Sequence, residues 1–177
     1  MKDSLYDTIE KSTAHRSSRD RVKNVIFDHP HLLQELLPIA FDTTDKNHTK
    51  ACWILELICE EKMELFIPFL DVFCDAIGFI SNESALRSIT KICLFLAKNK
   101  KIILTGFQEE KIIECCFDCL ITTDKAANAA YSMRALYVLS QKNDWIQQEL
   151  KAILTRDISD KTPGYCFAVK DILKRLK

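Results

Sequence analysis

Ala51-Cys52-Trp53-Ile54-Leu55 is the first of four pentapeptides that fall into register along this chain of 177 residues. The others are Ser88-Ile89-Thr90-Lys91-Ile92, Ser132-Met133-Arg134-Ala135-Leu136 and Ala168-Val169-Lys170-Asp171-Ile172. Each begins with a small residue and carries a branched aliphatic four positions later, and successive segments start 37, 44 and 36 residues apart. A small side chain lets a neighbouring helix backbone approach, and the aliphatic one turn on fills the seam between the two. The pattern therefore predicts a helix that recurs at a near-constant interval and packs each time against a partner. The extra residues of the longest spacing fall at 99–106 (NKKIILTG), a basic and then apolar loop.

Outside these segments the apolar spacing is helical as well. Leu32, Leu33, Leu36, Leu37, Ala40 and Phe41 follow the i, i+3, i+4 rule, as do Phe66, Phe69, Leu70, Phe73 and Ile77. Ile146, Leu150, Ile153 and Leu154 repeat it near the end. No stretch alternates with period two, and only 3 glycines and 4 prolines are available for the turns that many short strands need. The fold class is all-α. Helices are expected at 3–12, 17–27, 30–42, 45–61, 63–79, 82–99, 107–122, 124–141, 143–157 and 163–177. Pro30 and Pro163 suit first turns, Thr105 with Gln108 can form a capping box, and Ser81, Asn82, Asp124 and Asn143 are candidate N-caps. Pro38 and Pro68 lie inside helical patterns and should bend them.

Lys+Arg and Asp+Glu balance at 25 each, so bulk charge favours neither nucleic acid nor an anionic membrane. The opening MKDSLYDTIE lacks the apolar stretch of a signal peptide. The most apolar long window, 63–80, is interrupted by Glu64, Asp71 and Asp75, so no membrane span is expected. Most of the 8 cysteines sit on apolar helical faces and read as reduced, buried thiols. Together these features point to the cytoplasm.

A period near forty, two helices per unit and proline-bearing first helices resemble the HEAT/armadillo family of α-solenoids. The resemblance covers 30–177 and implies a right-handed α–α superhelix of about four HEAT-like helical hairpins. Residues 1–29 would then be an N-terminal helical cap, and 1–177 a single domain. The runs KACWILELICEE (50–61), KIIECCFDCLI (111–121), AAYSMRALYVLS (129–140) and DWIQQELKAIL (144–154) are similar to short bacterial HEAT-like proteins that carry an adenylosuccinate lyase label. That lyase superfamily has a Met-Pro-x-Lys-x-Asn-Pro run in its catalytic loop; this chain has none, so the motifs do not support the label.

Chemistry-bearing motifs are sparse. Cys115-Cys116-x-x-Cys119 lies in a helix that is apolar around most of its circumference, and neither a histidine nor a second cysteine pair stands near it in sequence. Core packing accounts for it better than a metal or redox site. His29-Pro30-His31 reads as the polar flank of a first-turn proline. No nucleophilic triad order, phosphate loop or HExxH motif occurs, so neither cofactor nor metal is expected.

The second helices carry one feature beyond a core. At about 100° per residue, with Ala51 at the centre of the buried side, Trp53, Glu56 and Glu60 point away. In register follow Thr90, Cys93 and Ala97, then Arg134, Tyr137 and Gln141, then Lys170, Leu173 and Lys177. This ladder is too apolar for a freely solvated face. It predicts either a cover, such as the N-terminal helices, or a concave groove for a protein or peptide segment lined by Trp53, Glu56, Thr90, Arg134, Tyr137 and Lys170. Two ladders packed together in a homodimer are another arrangement. A nucleic-acid-binding or repair protein is the alternative, because HEAT-like DNA glycosylases share the architecture and Arg87, Lys91 and Arg134 accompany the aromatics. An enzyme site assembled across helices is a weaker one.

Overall fold

A computed structural model describes residues 4–176, and among these there are ten α-helices and no strand. The helices are α1 (Leu5–Glu10), α2 (Arg16–Asp28), α3 (Leu33–Phe41), α4 (His48–Glu61) and α5 (Leu70–Ile77), followed by α6 (Glu83–Lys98), α7 (Gly106–Thr122), α8 (Ala126–Ser140), α9 (Asp144–Leu154) and α10 (Pro163–Arg175). Each overlaps one expected from the spacing. Asp3, the first residue of the earliest expected helix, and Lys177, the last rung of the ladder, lie outside the described residues.

Side-chain caps set four of the ten starts, at Ser4, Asn82, Thr105 and Thr162. The Thr105 N–H donates to Gln108 Oε1 at 3.1 Å and the Gln108 N–H returns to Thr105 Oγ1 at 3.2 Å, closing the expected capping box. Asn82 Oδ1 accepts from the Ser84 and Ala85 amides at 3.0 and 3.1 Å. Thr162 accepts from the Tyr165 amide ahead of Pro163. Asp124 misses the cap position, and Asn143 holds the N-cap of α9 but sends its side chain elsewhere. Asp124 binds Lys161 Nζ at 2.7 Å while Lys125 occupies the cap position of α8, and the Asn143 amide donates to Glu109 Oε1 at 2.9 Å.

The two internal prolines behave differently. α3 runs through Pro38, whereas the pattern at 63–79 breaks into short 3-10 turns at Met63–Leu65 and Ile67–Phe69 before α5 begins. Pro68 has no amide to donate and its ring collides with the carbonyl four residues back, so the α-helix forms only beyond it.

The chain divides into two compact units, one up to Ile89 and one from Thr90. In the first, α3 packs along α4, α2 lies across another side of α4, and α1 touches all three. Phe66 and Phe73 are fully buried and meet edge to face at 5.3 Å. α4 is therefore buried nearly all round: Ala51, Cys52 and every residue from Ile54 to Cys59 are shielded. In the second unit α8 is the hub, packing on α7, α9 and α10. A Cβ added at Gly164 would come within 3.3 Å of Ala126 Cβ, so the first turns of α10 and α8 approach closely.

The four small residues behave as the repeat requires. Ala51, Ser88 and Ser132 are fully buried and Ala168 is 3 % exposed, with Leu55, Ile92, Leu136 and Ile172 buried one turn on.

Candidate partner-binding face

The outward ladder meets a different fate in each unit. In the first it is occupied from within. The Arg19 guanidinium sits 5.9 Å from the centre of the Trp53 ring, and the indole N–H donates to Ser84 Oγ at 3.0 Å. Glu56 is only 2 % exposed: Ser88 Oγ donates to its Oε2 at 2.6 Å, and Arg87 Nη1 lies 3.5 Å from the same oxygen. A wheel centred on Ala51 turned Glu56 toward solvent; α2 and the start of α6 enclose α4 instead. Thr90 and Cys93 of α6, also set outward by the wheel, are fully buried.

Ion pairs hold α2 to α4. Arg16 Nη1 reaches Glu60 at 3.1 Å, and the buried Lys23 ammonium lies between Asp20, at 3.1 Å, and Glu61. Burial alone pulls the Lys23 pKa down, but hydrogen bonds and charges from Glu61 and Asp20 outweigh it and hold the value above an ordinary lysine's. Asp20 is held below the ordinary carboxylate range, chiefly by the hydrogen bond from Lys23.

In the second unit, which takes in the buried Thr90 and Cys93, the ladder opens only on α8 and α10. Arg134 and Tyr137 of α8 and Leu173 of α10 are half-buried, and Gln141 and Lys170 are exposed. Among the described residues no side chain pairs with the Arg134 guanidinium, the Tyr137 hydroxyl or the Lys170 ammonium. Since α8 and α10 pack together, the three groups stand on adjoining helices. This arrangement can accept a segment with an apolar side chain and acidic or carbonyl acceptors.

The cysteines serve packing. All eight are free, and seven are buried. Burial pushes the Cys52 thiol up to about 12, and Cys93, hydrogen-bonded to Cys115 and Cys116 and fully buried, is also held well above the ordinary value. Such thiols stay protonated and unreactive at neutral pH. Among the described residues no group of three or more His, Cys, Asp or Glu side chains is placed to hold a metal ion. His48 is buried with Nδ1 at 2.7 Å from the Ala40 carbonyl oxygen, so it belongs to the α3–α4 seam. His29 and His31 are exposed and border an open cleft of about 620 Å3 beside Asp28 and Glu35.

Two features escaped the linear reading. One is the cleft walled by the 99–105 loop, whose sequence reads only as basic and then apolar. The other is a charge split concealed by the zero total. Up to Ile89 there are 10 Lys+Arg against 15 Asp+Glu, and from Thr90 there are 15 against 10. Counting charge by halves would have exposed it.

The pairwise packing around buried small residues defines a helical-repeat protein. A HEAT repeat domain profile matches residues 3–176, so the chain belongs to the HEAT repeat domain family. The match takes in α1 and α2 as well as the later hairpins. Domains of this family typically act as protein-interaction scaffolds. No curated protein and no solved structure matches the chain. No described helix is long and apolar enough to cross a membrane.

Proposed function

We propose that this protein is a non-enzymatic interaction module that holds a protein or peptide segment on α8 and α10, with Arg134, Tyr137 and Lys170 as the contacting side chains. One observation carries the reading: these three polar groups have no partner within the described chain, although they stand on a half-apolar face. Trp53, at the edge of α4, is a contact of the first unit taken by itself, and Glu56 and Thr90 are buried beneath the surface. We read both units as one HEAT domain, because a single family match runs through them. A cytoplasmic location fits the eight free thiols.

The test is recovery of partners from the source cell with the full chain and with an Arg134→Glu/Tyr137→Ala variant of the same helical content. Loss of the same co-purifying protein in the variant is the expected result. Undiminished recovery rejects the face. The basic excess of the second unit favours one alternative, binding of nucleic acid. Anisotropy with duplex DNA at low salt separates the two, since phosphate contacts would show as steeply salt-dependent binding.

A further inference from the structure

The loop between α6 and α7 walls an open cleft in the second unit, about 440 Å3 in volume and so within the usual range for a binding pocket. Leu96 at the end of α6, Ile102 and Leu104 of the loop, and Val138 and Leu139 of α8 give it an aliphatic lining. Lys98, Lys100 and Lys142 stand exposed around it, Lys101 follows in the chain, and Ile103 is 93 % exposed beside them. Among the described residues none of the four lysines has an ion-pair partner. Lys98 lies in the last turn of α6, where a cation complements the helix end, so its place has a structural reason. Lys100, Lys101 and Lys142 lie beyond the helices and lack that reason. The one carboxylate in the lining, Glu109, accepts the Asn143 amide at 2.9 Å.

We propose that this cleft docks an acidic segment of a partner protein, with an aliphatic side chain entering the lining and carboxylates meeting Lys100, Lys101 and Lys142. The inference rests on the reading of the chain as an interaction module and supplies the chemistry of what it binds. Charge complementarity is its first support, because the unpaired lysines lie in the half of the chain with an excess of cations. The lining is its second. It contains no aromatic ring on which a nucleic-acid base could stack. It is also concave, with one fully exposed isoleucine, whereas a membrane surface would need a broad apolar face.

The probe is a fluorescein-labelled peptide of roughly a dozen residues in which leucines are flanked by glutamates, titrated against the full chain by fluorescence anisotropy. Saturable binding is expected, weakening with salt and falling about tenfold in Lys100→Glu/Lys101→Glu. It should fall more modestly in Ile103→Ser and disappear when the peptide leucines become serine. All three substitutions lie at exposed positions, and circular dichroism confirms that the variants keep their helices. The α8–α10 face is read by partner recovery and the cleft by the peptide, so failure at one and failure at the other are distinguished. The proposal is overturned by absence of saturable binding, by undiminished binding to the charge-reversed variant, or by tighter binding to phosphatidylserine vesicles or duplex DNA than to the peptide. A dimer in sedimentation that the double variant dissolves would likewise overturn it, by giving the cleft to a second copy.

Discussion

α4 in the first unit and α8 in the second carry equivalent small-then-aliphatic contact points, yet their outward residues have opposite fates. Trp53 and Glu56 are tied to Arg19, Ser84, Arg87 and Ser88, whereas among the described residues Arg134 and Tyr137 reach no side-chain partner. The difference lies in what packs on the far side of each helix. α2 lies across α4 and brings Arg16, Arg19 and Lys23 to it, while α8 spends its contacts on α7, α9 and α10 and leaves Arg134 and Tyr137 half-exposed. Equal position in a repeat therefore does not make two residues equivalent in function. α2 satisfies on α4 the kind of outward side chains that α8 leaves exposed.

The largest effect should come from filling a contact point. Ala51→Leu forces a branched side chain into a fully buried seam and should cost about 3 kcal/mol, read as a shift in the urea midpoint. The two buried serines sharpen the comparison. Ser88→Ala removes a donor from the buried Glu56 carboxylate and should cost about 1–2 kcal/mol. Ser132 Oγ is buried without a hydrogen-bond partner, so Ser132→Ala should be neutral or slightly stabilising in the same assay.

Acid should loosen the first unit's clamp. Asp20 has a lowered pKa in the fold, so its contribution is fully present above the ordinary aspartate value near 3.9 and is lost as pH falls through the folded value. Asp20→Asn should flatten the acid limb of the stability curve by a modest amount, because the pair is partly screened by water. Tyr137→Ala should have the smallest effect on stability, within about 0.5 kcal/mol, because its ring is half-exposed and its hydroxyl unpaired.

The repeat was legible because a contact point with no room excludes large residues, and that exclusion recurs at 51, 88, 132 and 168. The capping box at Thr105 was legible because it needs only four consecutive residues. Glu56 was not. A helical wheel sees one partner, and α4 has packing on more than one side. Asp124 likewise fits a cap by type, but Lys161, distant in sequence, takes its carboxylate. The break at Pro68 shows a further limit: periodicity continues through a proline even where the backbone does not. The 99–105 cleft needs residues from α6, the loop and α8 together, which no linear window contains.

The most direct measurement sets Trp53→Ala beside Tyr137→Ala, comparing thermal midpoint and partner recovery for both in the full chain. Trp53→Ala should lower the midpoint, through loss of the Arg19 and Ser84 contacts, and Tyr137→Ala should lower partner recovery at an unchanged midpoint. If Tyr137→Ala destabilises the protein while retaining its partner, α8 is covered in the same way as α4, and the open face does not exist.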